Sequence, residues 1–198
     1  SLGNVGSMLL VAPIFLVVAN LALPLQGRWS LALTTGTLAF ALVAMAFLLS
    51  AALLDAIGAL RSVEALVRGT EWERGAWLLG TLGAATFALF AMIDHAAPRA
   101  LKRDWRGGVT VDAQLWTMLA GVMIAAFPLI GGGIAHGSML TDGAPPDEIA
   151  GTLSWFRMAA GAGLGLAALS ALTALASLFL IYTTARRAEY VPVAAEPG

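Results

Sequence analysis

Apolar residues in this chain come in long unbroken runs, not in the one-sided patterns of a water-soluble fold. Residues 1–27, 29–54, 75–93, 113–141 and 158–185 contain no Asp, Glu, Lys or Arg. A helix needs only about 20 apolar residues to cross the hydrocarbon core of a bilayer. In that medium every backbone N–H and C=O must be paired within its own segment, so runs of this length form helices. The alternation that a membrane barrel requires is absent. The pattern predicts an all-α polytopic membrane bundle with five transmembrane helices and short loops, a single domain over residues 1–198. Spans are expected at about 7–23, 31–54 (continuing as helix to Leu60), 75–93, 113–134 and 158–184, followed by a tail over 185–198. Pro24 should end the first span and Pro98 the third, and Pro128 should kink the fourth.

The six tryptophans, Trp29, Trp72, Trp77, Trp105, Trp116 and Trp155, all fall near the ends of these runs. That is where an apolar ring with one polar N–H sits best in a membrane. Composition closes the alternatives: charged residues make up 12% of the chain, about half of what a water-solvated surface carries. With no cysteine, the chain has no disulfide, thiolate metal site or c-type haem attachment. A net charge of −1 gives no reason to expect nucleic acid as a partner.

Basic residues are distributed unequally between the two ends of the expected bundle. Arg28, Arg99, Lys102, Arg103, Arg106, Arg186 and Arg187 share one face. Arg61, Arg68, Arg74 and Arg157 lie on the other, with Glu64, Glu71, Glu73, Asp142, Asp147 and Glu148. The positive-inside rule places the first face in the cytoplasm of a bacterial inner membrane, with the N-terminus periplasmic and the C-terminus cytoplasmic. The chain starts at Ser1 with no basic n-region, so an exported N-terminus implies a cleaved signal or a helix upstream. Gly80, Gly83, Gly131, Gly132 and Gly133, with Gly161, Gly163 and Gly165, are expected to let helix backbones approach closely. A hinge at the triple glycine is the alternative.

Several strings go beyond generic membrane helix. Ser1-Leu2-Gly3 with Ala12-Pro13, then Ser62-Val63-Glu64-Ala65-Leu66, Thr70-Glu71-Trp72, Gly75, Gly80, Leu82, Gly83 and Pro98-Arg99 occur in this order. Trp116, Gly121, Gly133-Ile134-Ala135, Gly137, Arg157 and Gly161 follow. The series resembles the second half of the catalytic subunit of cbb3-type cytochrome c oxidases, and more weakly that of nitric oxide reductases. The resemblance implies the last five helices of a haem–copper oxidase subunit. It also implies two haem-ligating histidines just after Gly75, where this chain has Ala76-Trp77-Leu78. Neutral imidazole nitrogen is what holds haem iron, and Ala and Leu carry no donor atom. The family's paired copper histidines would lie upstream of Ser1, and its membrane glutamate aligns with Leu54, one residue before Asp55.

Among candidate site residues, His95 is expected to be interfacial and His136 to fill a polar packing role, with haem or metal ligation the alternative for each. Asp55 is the one ionisable group expected to be embedded, with Arg61 or a group on another subunit as partner, serving either as an interface anchor or in a proton path. The Arg68, Glu71, Glu73, Arg74 cluster reads as a solvated loop. The resulting expectation is a non-catalytic integral subunit of a respiratory electron-transfer complex. It would carry no cofactor of its own, pack among lipids, and partner haem b- and copper-bearing subunits and a cytochrome c subunit. A fragment of an active oxidase or nitric oxide reductase is one alternative, and a small transporter or assembly factor is another.

Overall fold

Among the described residues, each charge-free run contributes a helix long and apolar enough to cross a membrane: Val5–Leu25, Gly36–Gly58, Glu71–Ala97, Thr110–Thr141 and Pro146–Leu180. The structure, a computed structural model, describes residues 2–27, 29–30, 35–101 and 108–189, and no strand occurs among them. Arg28, Lys102, Arg103, Trp105, Arg106, the first residues of the second expected span and the end of the tail lie outside the described residues.

Helix α1 (Leu2–Ala22) runs through Pro13 and tightens into a 3₁₀ turn, Leu23–Leu25. Helix α2 is Gly36–Gly58 and the short α3 is Arg61–Val67. The third span is one rod in three parts: α4 (Glu71–Leu78), a π-helical turn (Leu79–Ala85) and α5 (Thr86–Leu101). Helices α6 (Gly108–Thr141) and α7 (Pro146–Glu189) complete the bundle.

The helices outrun their apolar cores. α7 begins well before Met158, because Pro146 opens it and Asp147 and Glu148 occupy the first turn, where the helix dipole favours negative charge. α5 continues past Pro98, and α6 continues as helix through Pro128. A proline removes a single backbone bond from the ladder, and the residues beyond it resume the pattern.

Two kinds of contact stand out in one continuous core. Phe40 and Phe47 of α2 meet Phe87 and Phe90 of α5 with ring centroids 5.5 to 5.7 Å apart, a spacing that favours tilted aromatic pairs. Small residues join α6 to α7. A Cβ on Gly121 would lie 2.6 Å from the Ala167 backbone nitrogen, and one on Gly163 would collide with the Ala125 backbone. Gly121 and Ala125 face Gly163 and Ala167, a small-xxx-small pair on each helix.

The other glycines differ in what they touch. A Cβ on Gly83 would lie 2.8 Å from the Phe47 ring, one on Gly132 3.0 Å from Phe156, and one on Gly133 inside the Trp72 backbone. Gly80 and Gly131 have looser neighbours, Ala51 at 3.5 Å and Phe156 at 3.8 Å, while Gly161 and Gly165 face open space. α1 rests on α2 and buries none of its residues fully.

Candidate functional site

The chemistry gathers at the mixed-charge end of the bundle, where α2, α3, α4, the end of α6 and the start of α7 meet. Gly69, at φ 73°, turns the chain from α3 into α4, a backbone conformation that glycine adopts without steric cost. Thr70 then caps α4: its hydroxyl accepts from the Trp72 N–H at 3.4 Å, and the Glu73 carboxylate accepts from the Gly69 N–H at 3.2 Å. This cap places Glu71 and Trp72 in the first turn, facing inward. Trp72 is 7% exposed, and Glu71 only 4%. The cluster is therefore not a solvated loop throughout.

Arg157 of α7 donates from Nε at 2.9 Å and from Nη2 at 2.5 Å to one oxygen of Glu71, and Arg74 donates at 2.9 Å to the other. A buried carboxylate is costly unless paired and hydrogen-bonded, and here both oxygens are engaged. The arrangement ties the third span to the fifth. The hydrophobic pattern alone does not reveal it. Two signals were present, the Thr70-x-x-Glu73 spacing of a helix start and a lone Arg157 at the edge of an apolar run. Trp72, unlike the exposed Trp29, Trp77, Trp116 and Trp155, is an interior packing residue under Gly133 and beside Gly58.

Asp55 lies on the last turn of α2 with its side chain exposed to a polar cleft of about 310 Å³ shared with Glu64, Arg68, Trp72 and Glu73. Among the described residues it makes no ion pair with Arg61. α2 ends at Gly58, Leu60 is extended, and Arg61 opens a separate helix. Arg68 pairs instead with Glu64 at 2.7 Å.

The histidines sit at opposite ends of the bundle. His95 is exposed near the end of α5, and its carbonyl accepts from Arg99 at 2.6 Å. His136 lies near the other end of α6, half-buried, and its buried Nδ1 has no hydrogen-bond partner among the described residues. The described residues hold no group of three His, Cys, Asp or Glu side chains suited to a metal ion.

The positions that the oxidase resemblance assigns to haem ligands lie on α4. Ala76 is 3% exposed, and Leu78 packs against the core. At the adjoining Gly75 a Cβ would stand 2.6 Å from Ile130 and 2.9 Å from the Ala126 carbonyl, so α4 and α6 are in backbone contact at this level. Neither Ala76 nor Leu78 supplies a donor atom for haem iron.

Comparison with known proteins agrees with the sequence motifs. The family described as cytochrome c and quinol oxidase polypeptide I matches residues 1–164. The cbb3-type cytochrome c oxidase subunit CcoN1 of Stutzerimonas stutzeri is 26% identical over 140 residues, which is 70% of this chain and 30% of that relative. The chain thus spans under a third of the length of the curated relative it matches. With helices, motif order and family match in agreement, the chain belongs to the family of cytochrome c and quinol oxidase polypeptide I.

Proposed function

We propose that this chain is a non-catalytic, haem-free integral subunit of a membrane respiratory oxidase, a scaffold derived from polypeptide I. The observation that carries the reading is the pair Ala76 and Leu78 at the ligand positions of a helix packed backbone to backbone against α6. Axial ligation needs a donor side chain, and neither residue supplies one. What the chain retains is the scaffold, including the aromatic core, the small-residue seam between α6 and α7, and the Glu71–Arg157 tie. In this reading haem b and copper reside in partner subunits, and a cytochrome c subunit is a further partner. The basic face, with Arg99 and Arg186, lies in the cytoplasm of a bacterial inner membrane, and the N-terminus is periplasmic.

Purification of the tagged chain from its own membranes in mild detergent tests this, with subunit composition read by mass spectrometry. The proposal expects co-purifying haem-bearing oxidase subunits. A free monomer would favour a transporter or assembly factor. Recovery as part of a longer, haem-bearing polypeptide would favour the catalytic reading.

A further inference from the structure

On one face of α2, Leu38, Ala41, Met45, Leu48, Ala52, Asp55 and Ala59 recur at alternating steps of three and four, the spacing that puts residues on one helix face, with Ala52 and Ala59 buried against their neighbours. The two ends of this stripe open into different spaces. At the mixed-charge end is the polar cleft of Asp55, Glu64, Arg68, Trp72 and Glu73. Toward the other end is an apolar cavity of about 480 Å³ lined by Leu21 of α1, Leu25 of the turn that follows it, Ala41, Met45 and Leu48 of α2, and Ala88 of α5. α1 borders both, through Ser7 at the cleft and Leu21 at the cavity. At about 1.5 Å per residue, Leu48 to Ala41 lie roughly 10 to 21 Å along α2 from Asp55. One leaflet of a bilayer is about 15 Å of hydrocarbon deep, half of about 30 Å.

We propose that this seam holds one membrane phospholipid whose headgroup carries both a primary ammonium and a phosphate, with an acyl chain in the apolar cavity. The cleft has three carboxylates against a single guanidinium, so an ammonium between Asp55 and Glu73 is favoured and a purely anionic headgroup is not. Arg68 pairs with Glu64 at 2.7 Å, and its side chain, 71% exposed, has further guanidinium N–H groups for the phosphate. Trp72 adds a second donor: it lines the cleft at 7% exposure, and its Nε1–H, next to Gly58, makes no hydrogen bond among the described residues. An indole N–H at the edge of the cleft can donate to a phosphate oxygen. A primary ammonium donates hydrogen bonds to both carboxylates, whereas a trimethylated one cannot, which sets the expected order of headgroups. The proposal rests on the membrane location of the chain and does not depend on its having no haem.

The test is native mass spectrometry of the delipidated full chain titrated with phosphatidylethanolamine, phosphatidylcholine and phosphatidylglycerol of identical acyl composition. The expected result is tightest binding of phosphatidylethanolamine, with phosphatidylglycerol weaker by about tenfold, the scale of one charge-assisted contact. Asp55→Asn with Glu73→Gln should erase that preference, and Ala88→Leu, which fills the cavity, should weaken all three lipids alike. Asp55 is exposed, so the single Asp55→Asn variant supplies the same readout if the double variant does not fold. Equal affinity of the wild type for ethanolamine and glycerol headgroups would overturn the proposal. So would loss of a protein partner from the double variant with lipid binding unchanged, which would assign the cleft to a basic side chain of that partner.

Discussion

Glu71 shows how a single side chain can join spans far apart in sequence. Its carboxylate, 5% exposed, takes three hydrogen bonds from Arg157 and Arg74, whose side chains are 53% and 72% exposed. The two arginines are not equivalent. Arg157 comes from a different span and contributes two of the three bonds, whereas Arg74 reaches across one turn from solvent. Arg157→Met should therefore lower stability by about 2–4 kcal/mol, because it leaves a buried carboxylate under-compensated. Arg74→Gln should cost less than about 1 kcal/mol, as exposed pairs do. Thermal unfolding of the two variants in one detergent checks the ranking, and equal losses would contradict it. The cap at Thr70 left a signal in its spacing to Glu73, although the cluster read as a solvated loop. The pairing of Glu71 with Arg157, across 86 residues, was not legible, because it depends on which faces of antiparallel helices meet.

At the scale of elements, the spacing of small residues decides which helices touch. Gly161, Gly163 and Gly165 look alike in the sequence, yet only Gly163 lies against another backbone. A helix turns about 100° per residue, so neighbours two apart point to opposite sides. Gly163→Ala should destabilise by about 1–3 kcal/mol through overpacking against α6. Gly161→Ala should be neutral or stabilising by up to about 1 kcal/mol, since alanine is the better helix former. Unfolding in detergent separates the two outcomes, and a larger loss at Gly161 would refute this packing. The five spans themselves were plain from hydropathy. The π turn over Leu79–Ala85 was not, because an apolar run reads the same whether its bonds close at four residues or five. There a Cβ on Gly83 would meet Phe47, so the turn packs closely against α2. The early start of α7 was signalled by Pro146, Asp147 and Glu148, but hydropathy windows pass over a polar first turn.

For the whole molecule, the two ends of the bundle differ in charge, and the positive-inside rule turns that difference into an expected orientation. Because the chain has no cysteine, single-cysteine labelling needs no background removal. Ala100→Cys and Pro145→Cys, both at exposed positions, should label from opposite sides of sealed vesicles, with position 100 on the cytoplasmic side. Labelling of both from one side would contradict the topology. The larger question is whether an oxidase scaffold persists here without its redox centre. Family, fold and motif order all point to polypeptide I, while α4 presents Ala76 and Leu78 where ligands would stand. The most direct measurement is haem quantification by pyridine haemochrome, with a reduced-minus-oxidised spectrum, on the purified chain in mild detergent. The account predicts no stoichiometric haem. One b-type haem per chain, lost on His136→Ala, would contradict it and make His136 a ligand.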